Sequence, residues 1–167
     1  MAPAAIAAAS VAAIAWQPRT PYVRGSAEAA DHIVDGTPHR VLYCGSVGVP
    51  SFIFSVRSLD PQLRTSVIRA SSVAPKLSVR EIEELAHRYA IDSIVVTEPR
   101  PDRVCDALKA GVPSTMVLKA EVPMTSSVPS STGTFKIYRF TDPSPTPEKR
   151  LKIRLPRLRR DVFLHLQ

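Results

Sequence analysis

Between Arg40 and Val122, short β-branched apolar runs alternate with helical patterns, and they do so nowhere else in the chain. Runs such as Val41–Cys44 and Ile91–Thr97 carry too little polarity to leave one face in water. A strand of that kind needs cover on both faces, and the intervening helical patterns supply it. The alternation predicts a small Rossmann-like three-layer α/β domain over residues 38–122, with a mostly parallel sheet.

Several elements within that stretch have local reasons. Ser78 and Glu81 stand in capping-box spacing, ahead of an apolar stripe formed by Val79, Ile82, Leu85, Ala86 and Tyr89. This predicts a helix over 78–90. Residues 65–70 and 114–122 read as further strands, and Asp102 can cap a helix that stops at Gly111. Thr134–Phe140 alternates apolar and polar residues and reads as an exposed or edge strand.

The flanks differ in composition. Residues 1–37 are expected to be a flexible leader or targeting segment, Ala- and Ser-rich and free of acids before Glu28. The apolar run Ile6–Trp16 is short of the roughly 20 residues needed to span a bilayer, so no transmembrane segment is expected. A transit peptide would place the protein in an organelle, a mitochondrion or chloroplast; otherwise it is cytoplasmic. Residues 123–133 form a Ser/Pro linker, and residues 134–167 a basic, β-containing C-terminal extension. The 16 prolines of the chain fall mostly outside the organising stretch or between its elements.

The formal net charge is +7, and about five of those charges lie in the last 25 residues. Lys149, Arg150, Lys152, Arg154, Arg157, Arg159 and Arg160 occur within twelve residues with no acid among them. Each can neutralise a phosphate and release counterions, which points to an anionic partner, RNA or a ribonucleoprotein. Phe135, Tyr138 and Phe140 would add stacking faces if their strand shares that surface. The plainer reading is a solvated tail.

Catalytic signals are weak. Gly45, Ser46 and Gly48 form a turn after the first strand, where α/β folds bind ligands, and Glu98 closes the best strand. These four residues form a possible ligand turn. The G-x-G-x-x-G fingerprint is absent, because Gly48 is the next glycine after Gly45 and position 50 is Pro. No Gly-Lys-Ser/Thr, nucleophile elbow, H-E-x-x-H or metal-ligand spacing is present, so no catalytic residue, metal or cofactor is expected. Cys44 and Cys105 make neither a disulfide framework nor a metal site by spacing. They read as two small buried apolar residues, the alternative being a redox pair or a nucleophile.

Short stretches resemble pieces of known families. KLSVREIEELAHRYAIDSIVVTE is similar to a helix and strand of small archaeal Brix ribosome-assembly proteins, whose Thr-Thr-Ser-Arg opening is absent here. IDSIVVTEPRPDRVCDALKAGVP is similar to part of nicotinamide-dependent sugar oxidoreductases, without their glycine fingerprint. RVLYCGS is similar to the first strand of methionyl-tRNA formyltransferases, without their Asn-His-Asp set. No residue role is carried over. The expected function is a non-catalytic RNA- or ribonucleoprotein-associated protein that binds through its basic tail. The alternatives are a small-molecule or nucleotide-binding α/β enzyme using the 45–48 turn and Glu98, and a protein-interaction subunit of a larger complex.

Overall fold

The computed structural model describes residues 23–98, 101–141, 148, 150–155 and 160–165. Its elements in chain order are β1 (Val23–Arg24), α1 (Ser26–Asp31), β2 (His39–Cys44), α2 (Val49–Leu59), β3 (Thr65–Arg69), α3 (Ala70–Val73), α4 (Val79–Tyr89) and β4 (Ser93–Glu98). A 3-10 helix, Arg103–Lys109, leads to β5 (Met116–Ser126). A short 3-10 turn, Pro129–Ser131, precedes β6 (Gly133–Phe140), and β7 (Arg150–Leu155) and β8 (Arg160–His165) follow.

The protein is α/β, built on a six-stranded sheet in the order β1-β5-β6-β4-β2-β3, with β7 and β8 as a separate two-stranded sheet. The expectation of a mostly parallel sheet is corrected. β2 pairs in parallel with β3 and β4, but β6 runs antiparallel to both β4 and β5, and β1 antiparallel to β5. The reason lies in Thr134–Phe140. This strand does not stay at an edge; it inserts between β4 and β5 and separates two strands that a parallel sheet would have joined. Its alternation serves two cores rather than one core and water. Phe135 and Ile137 pack on one face of the sheet, and Phe140, with Tyr138 partly buried beside it, on the other.

The same logic explains the apolar runs. In β2, Val41 and Tyr43 join the core beneath α1 and α2, while Leu42 and Cys44 join the core beneath α4. In β4, Val95 goes to the first and Ile94 and Val96 to the second. A strand covered on both faces has no polar side.

α4 forms as its sequence requires. The Glu81 amide donates to Ser78 Oγ at 3.2 Å, and Ser78 N donates to Glu81 Oε2 at 2.7 Å, so the capping box is closed in both directions. Ile82, Ala86 and Tyr89 are its buried stripe. α2 has no side-chain cap. Gly48 takes the cap position with φ +76°, a value that suits glycine, and Pro50 occupies the first turn.

Residues 23–37, read from sequence as part of the leader, form β1, α1 and the loop beyond it. Ala29, Ala30 and Ile33 are buried in the core. Residues 1–22, the body of that leader, lie outside the described residues. Among the described residues no helix is long and apolar enough to cross a membrane.

Candidate functional site

Within the basic extension, β7 and β8 pair as an antiparallel hairpin. Its register sets Arg150 opposite His165, Leu151 opposite Leu164, Lys152 opposite Phe163 and Ile153 opposite Val162. Directly opposed residues share a face. Leu151 is 1% exposed and belongs to the core that α4 covers, with Ile153 packed partly against it. The strand begins with alternating apolar and basic residues because one side must seal that core while the other remains in water. Glu148 steers the chain into the hairpin: its N–H donates to Arg88 O at 2.8 Å, and its carboxylate lies 3.8 Å from the Arg88 guanidinium.

The outer face carries Arg150, Lys152, Phe163 and His165, all exposed. The Arg150 guanidinium carbon stands 5.3 Å from the Phe163 ring centroid, within cation–π range. Lys152 Nζ reaches Asp161 Oδ2 at 2.9 Å, which offsets part of the local charge. Phe163 is 58% exposed; among the described residues Phe54, at 74%, is the other exposed phenylalanine ring. Of the other cations expected at this site, Arg154 and Arg160 occupy positions in β7 and β8. Lys149, Arg157 and Arg159 lie outside the described residues. Beside the hairpin, a groove of about 720 Å³ runs along α4, with Leu77, Leu85, Tyr89 and Leu151 in its lining and Glu84 and Lys152 among its polar groups.

The stacking residues are reassigned. Phe135 and Phe140 are 0% and 8% exposed and belong to the cores, so they present no ring to a ligand. Tyr138 is partly buried, and burial pushes its hydroxyl above the usual phenol range. Phe163 is the exposed ring of the hairpin instead. Its signal in the sequence was the Val162–Phe163 run close behind an apolar-basic strand.

The carboxyl ends of the parallel strands are closed by the protein itself. Gly45 bridges to Pro101, and the Asp102 amide donates to Cys44 O at 3.2 Å. A Cβ on Gly45 would meet Tyr43 Cε1 at 2.5 Å and Thr97 Oγ1 at 2.7 Å, so this glycine allows Tyr43 and Thr97 to pack closely against the chain. The Tyr43 hydroxyl donates to Val47 O at 2.6 Å and occupies the inside of the turn. Cys44 and Cys105, read as unlinked buried residues, are joined in a disulfide with Cα atoms 5.8 Å apart. The strand end and the 3-10 helix that carry them are packed side by side, which spacing in the sequence does not reveal.

Glu98 is not grouped with the glycine turn. Its carboxylate accepts from Lys136 Nζ at 2.9 Å, and Lys136 also lies 3.7 Å from Glu121. The hydrogen bond to Glu98 holds the Lys136 ammonium above its ordinary range. Glu98 does line a cleft of about 260 Å³ with Val96, Cys105, Leu108, Lys109 and Tyr138, but Gly45, Ser46 and Gly48 do not. Among the described residues no group of His, Cys, Asp and Glu could hold a metal ion.

Comparison with known proteins adds no relative: no family model, no curated protein and no solved structure matches the chain.

Proposed function

We propose that the protein is a non-catalytic binding domain that engages single-stranded RNA, free or in a ribonucleoprotein, through the outer face of the β7–β8 hairpin. The observation that supports it is the exposed Phe163 ring, flanked on one face by Arg150, Lys152 and His165. An exposed ring gives a base a stacking platform, and the neighbouring cations meet the phosphates on either side. A duplex, whose bases are already stacked, would use the cations but not the ring.

The domain beneath is the scaffold. Leu151 fixes the hairpin to it. We read the β3-β2-β4 half as Rossmann-like, since its parallel strands are joined through α2 and α4. The closing of its strand ends by Pro101 and the disulfide favours a scaffold over a nucleotide site in this half.

The test is fluorescence anisotropy of the full chain with a labelled single-stranded RNA, a duplex of the same sequence, and vesicles of anionic lipid. The reading expects the single strand to bind more tightly than the duplex and the Phe163→Ala variant to lose that preference. Preferential binding to vesicles would assign the face to a membrane surface and overturn the proposal.

A further inference from the structure

The amino ends of the parallel strands hold a cluster that the hairpin interface does not use. His39, the first residue of β2, is 6% exposed. Its Nε2 lies 2.8 Å from Asp35 Oδ1, in the loop after α1. Its Nδ1 lies 3.1 Å from Asp92 Oδ2, at the start of β4. A carboxylate only accepts, and a neutral imidazole has one N–H. Only the imidazolium has a donor for each neighbour.

The two carboxylates are not equally anchored. Asp92 accepts from the Arg40 amide at 3.0 Å and from Ser93 Oγ at 2.6 Å, both belonging to the sheet. Asp35 is about half exposed, and its other hydrogen bonds come from Thr37 in the same loop: the amide at 3.0 Å and the hydroxyl at 2.6 Å. Other charges lie nearby, among them Lys119 of β5, whose Nζ donates to His32 O at 2.8 Å. Arg139 of β6 approaches Asp35 at 3.9 Å, Arg40 turns its guanidinium to Tyr89 O, and Arg64 donates to Gly36 O.

We propose that His39 is a pH-sensitive clamp that fastens the α1–β2 loop to the sheet while protonated and releases it when the proton leaves. The neutral ring keeps its Nδ1–H on Asp92, the better anchored partner, and turns a lone pair toward Asp35. Thr37 Oγ is already 3.1 Å from Nε2 and can redirect its hydrogen from Asp35 to the ring. Asp35 then loses two of its partners at once. The hydrogen bond to Asp92, joined by that to Asp35, raises the His39 pKa above its ordinary 6.5, against the opposing effect of burial. The changeover therefore falls above that ordinary value.

The experiment is an NMR titration of the full chain, following the His39 Cε1 proton together with amide protection factors corrected for intrinsic exchange. The expected result is a His39 midpoint above 6.5. The Thr37 amide should shift with the same midpoint, and protection of residues 33–37 should fall at least several-fold above it while that of Ile94 is unchanged. Asp92→Asn should lower the midpoint, and His39→Gln should leave the loop weakly protected at every pH. If the Gln variant does not fold, the wild-type titration alone decides. A His39 that is neutral at pH 6, or loop protection that ignores its titration, overturns the clamp.

Discussion

The Arg150 guanidinium lies over the Phe163 ring, 5.3 Å from its centroid, across the two strands of the terminal hairpin. This contact orders an exposed aromatic ring without burying it. A base arriving on the free face of Phe163 meets a ring already held by a cation. Replacing Phe163 with Ala should cost about 1–3 kcal/mol of single-stranded RNA binding, the usual worth of one base–aromatic stack. Arg150→Ala should weaken binding by less than that and reduce the salt dependence. Anisotropy titrations of the two single variants and the double variant would show whether the pair acts as a unit.

Leu151 anchors the interface to the domain. It is the one residue of the hairpin's two strands that the structure shows fully buried, among the described side chains. Leu151→Ala should destabilise the protein by about 2–5 kcal/mol if the site cannot collapse, and less if the hairpin simply detaches. Detachment would appear as loss of amide protection in β7 and β8 with an unaltered urea midpoint for the main sheet.

Gly45 is a packing residue on this account. Gly45→Ala places a methyl group within 2.8 Å of both Tyr43 and Thr97. Overpacking of this kind typically costs about 1–3 kcal/mol. Urea denaturation should show the loss, while RNA binding below the transition should be unchanged. A ligand-turn role would show the opposite pattern.

The Cys44–Cys105 disulfide closes a sequence separation of 61 residues. Loop entropy alone assigns such a crosslink about 4 kcal/mol, and native-state effects can shift that in either direction. Cys44→Ser with Cys105→Ser should lower the melting temperature, and reductant should destabilise the wild type but not the double variant.

The capping box of α4 makes a pH prediction of defined sign. Hydrogen bonds from Ser78 hold the Glu81 carboxyl below its ordinary 4.5. A depressed folded pKa adds stability that is complete above the unfolded value and lost as pH falls through the folded one. The acid limb of the stability profile, below about pH 4.5, should therefore be shallower in Ser78→Ala. That variant should also be less stable at neutral pH by about 1 kcal/mol, through loss of the N-cap. Thermal melts between pH 2 and 7 read both effects.

The elements with local causes were legible in the sequence. Ser78 and Glu81 announce α4, and the uncharged run after Asp92 announces β4. The sheet order was not legible. Nothing near Thr134–Phe140 says that it will pass between β4 and β5, because that choice depends on partners some 40 residues away in β4 and on both cores needing cover at once. The alternation of Phe135 and Ile137 with Tyr138 and Phe140 fits an edge strand and a doubly covered one equally well. The disulfide was not legible for a similar reason: Cys44 and Cys105 meet only where Pro101 bridges to Gly45. At the hairpin the charge was plain in the sequence, but the ring it surrounds was not. Phe163 joins the cationic face only through the register that sets it opposite Lys152 and beside Arg150.

The central claim is that the hairpin's outer face binds single-stranded RNA by charge and stacking together. The most direct measurement is the affinity of the full chain for a single-stranded RNA as a function of salt. The wild type is compared with a variant carrying Arg150→Ala, Lys152→Ala and Phe163→Ala. The account predicts log-linear weakening with salt, with a slope of about −0.7 per phosphate contacted. In the triple variant the slope should be shallower by roughly 1.4 if two contacts are lost, and the affinity should be at least tenfold weaker at every salt concentration. An unchanged slope and affinity in the triple variant, or no measurable binding by the wild type at low salt, would contradict it.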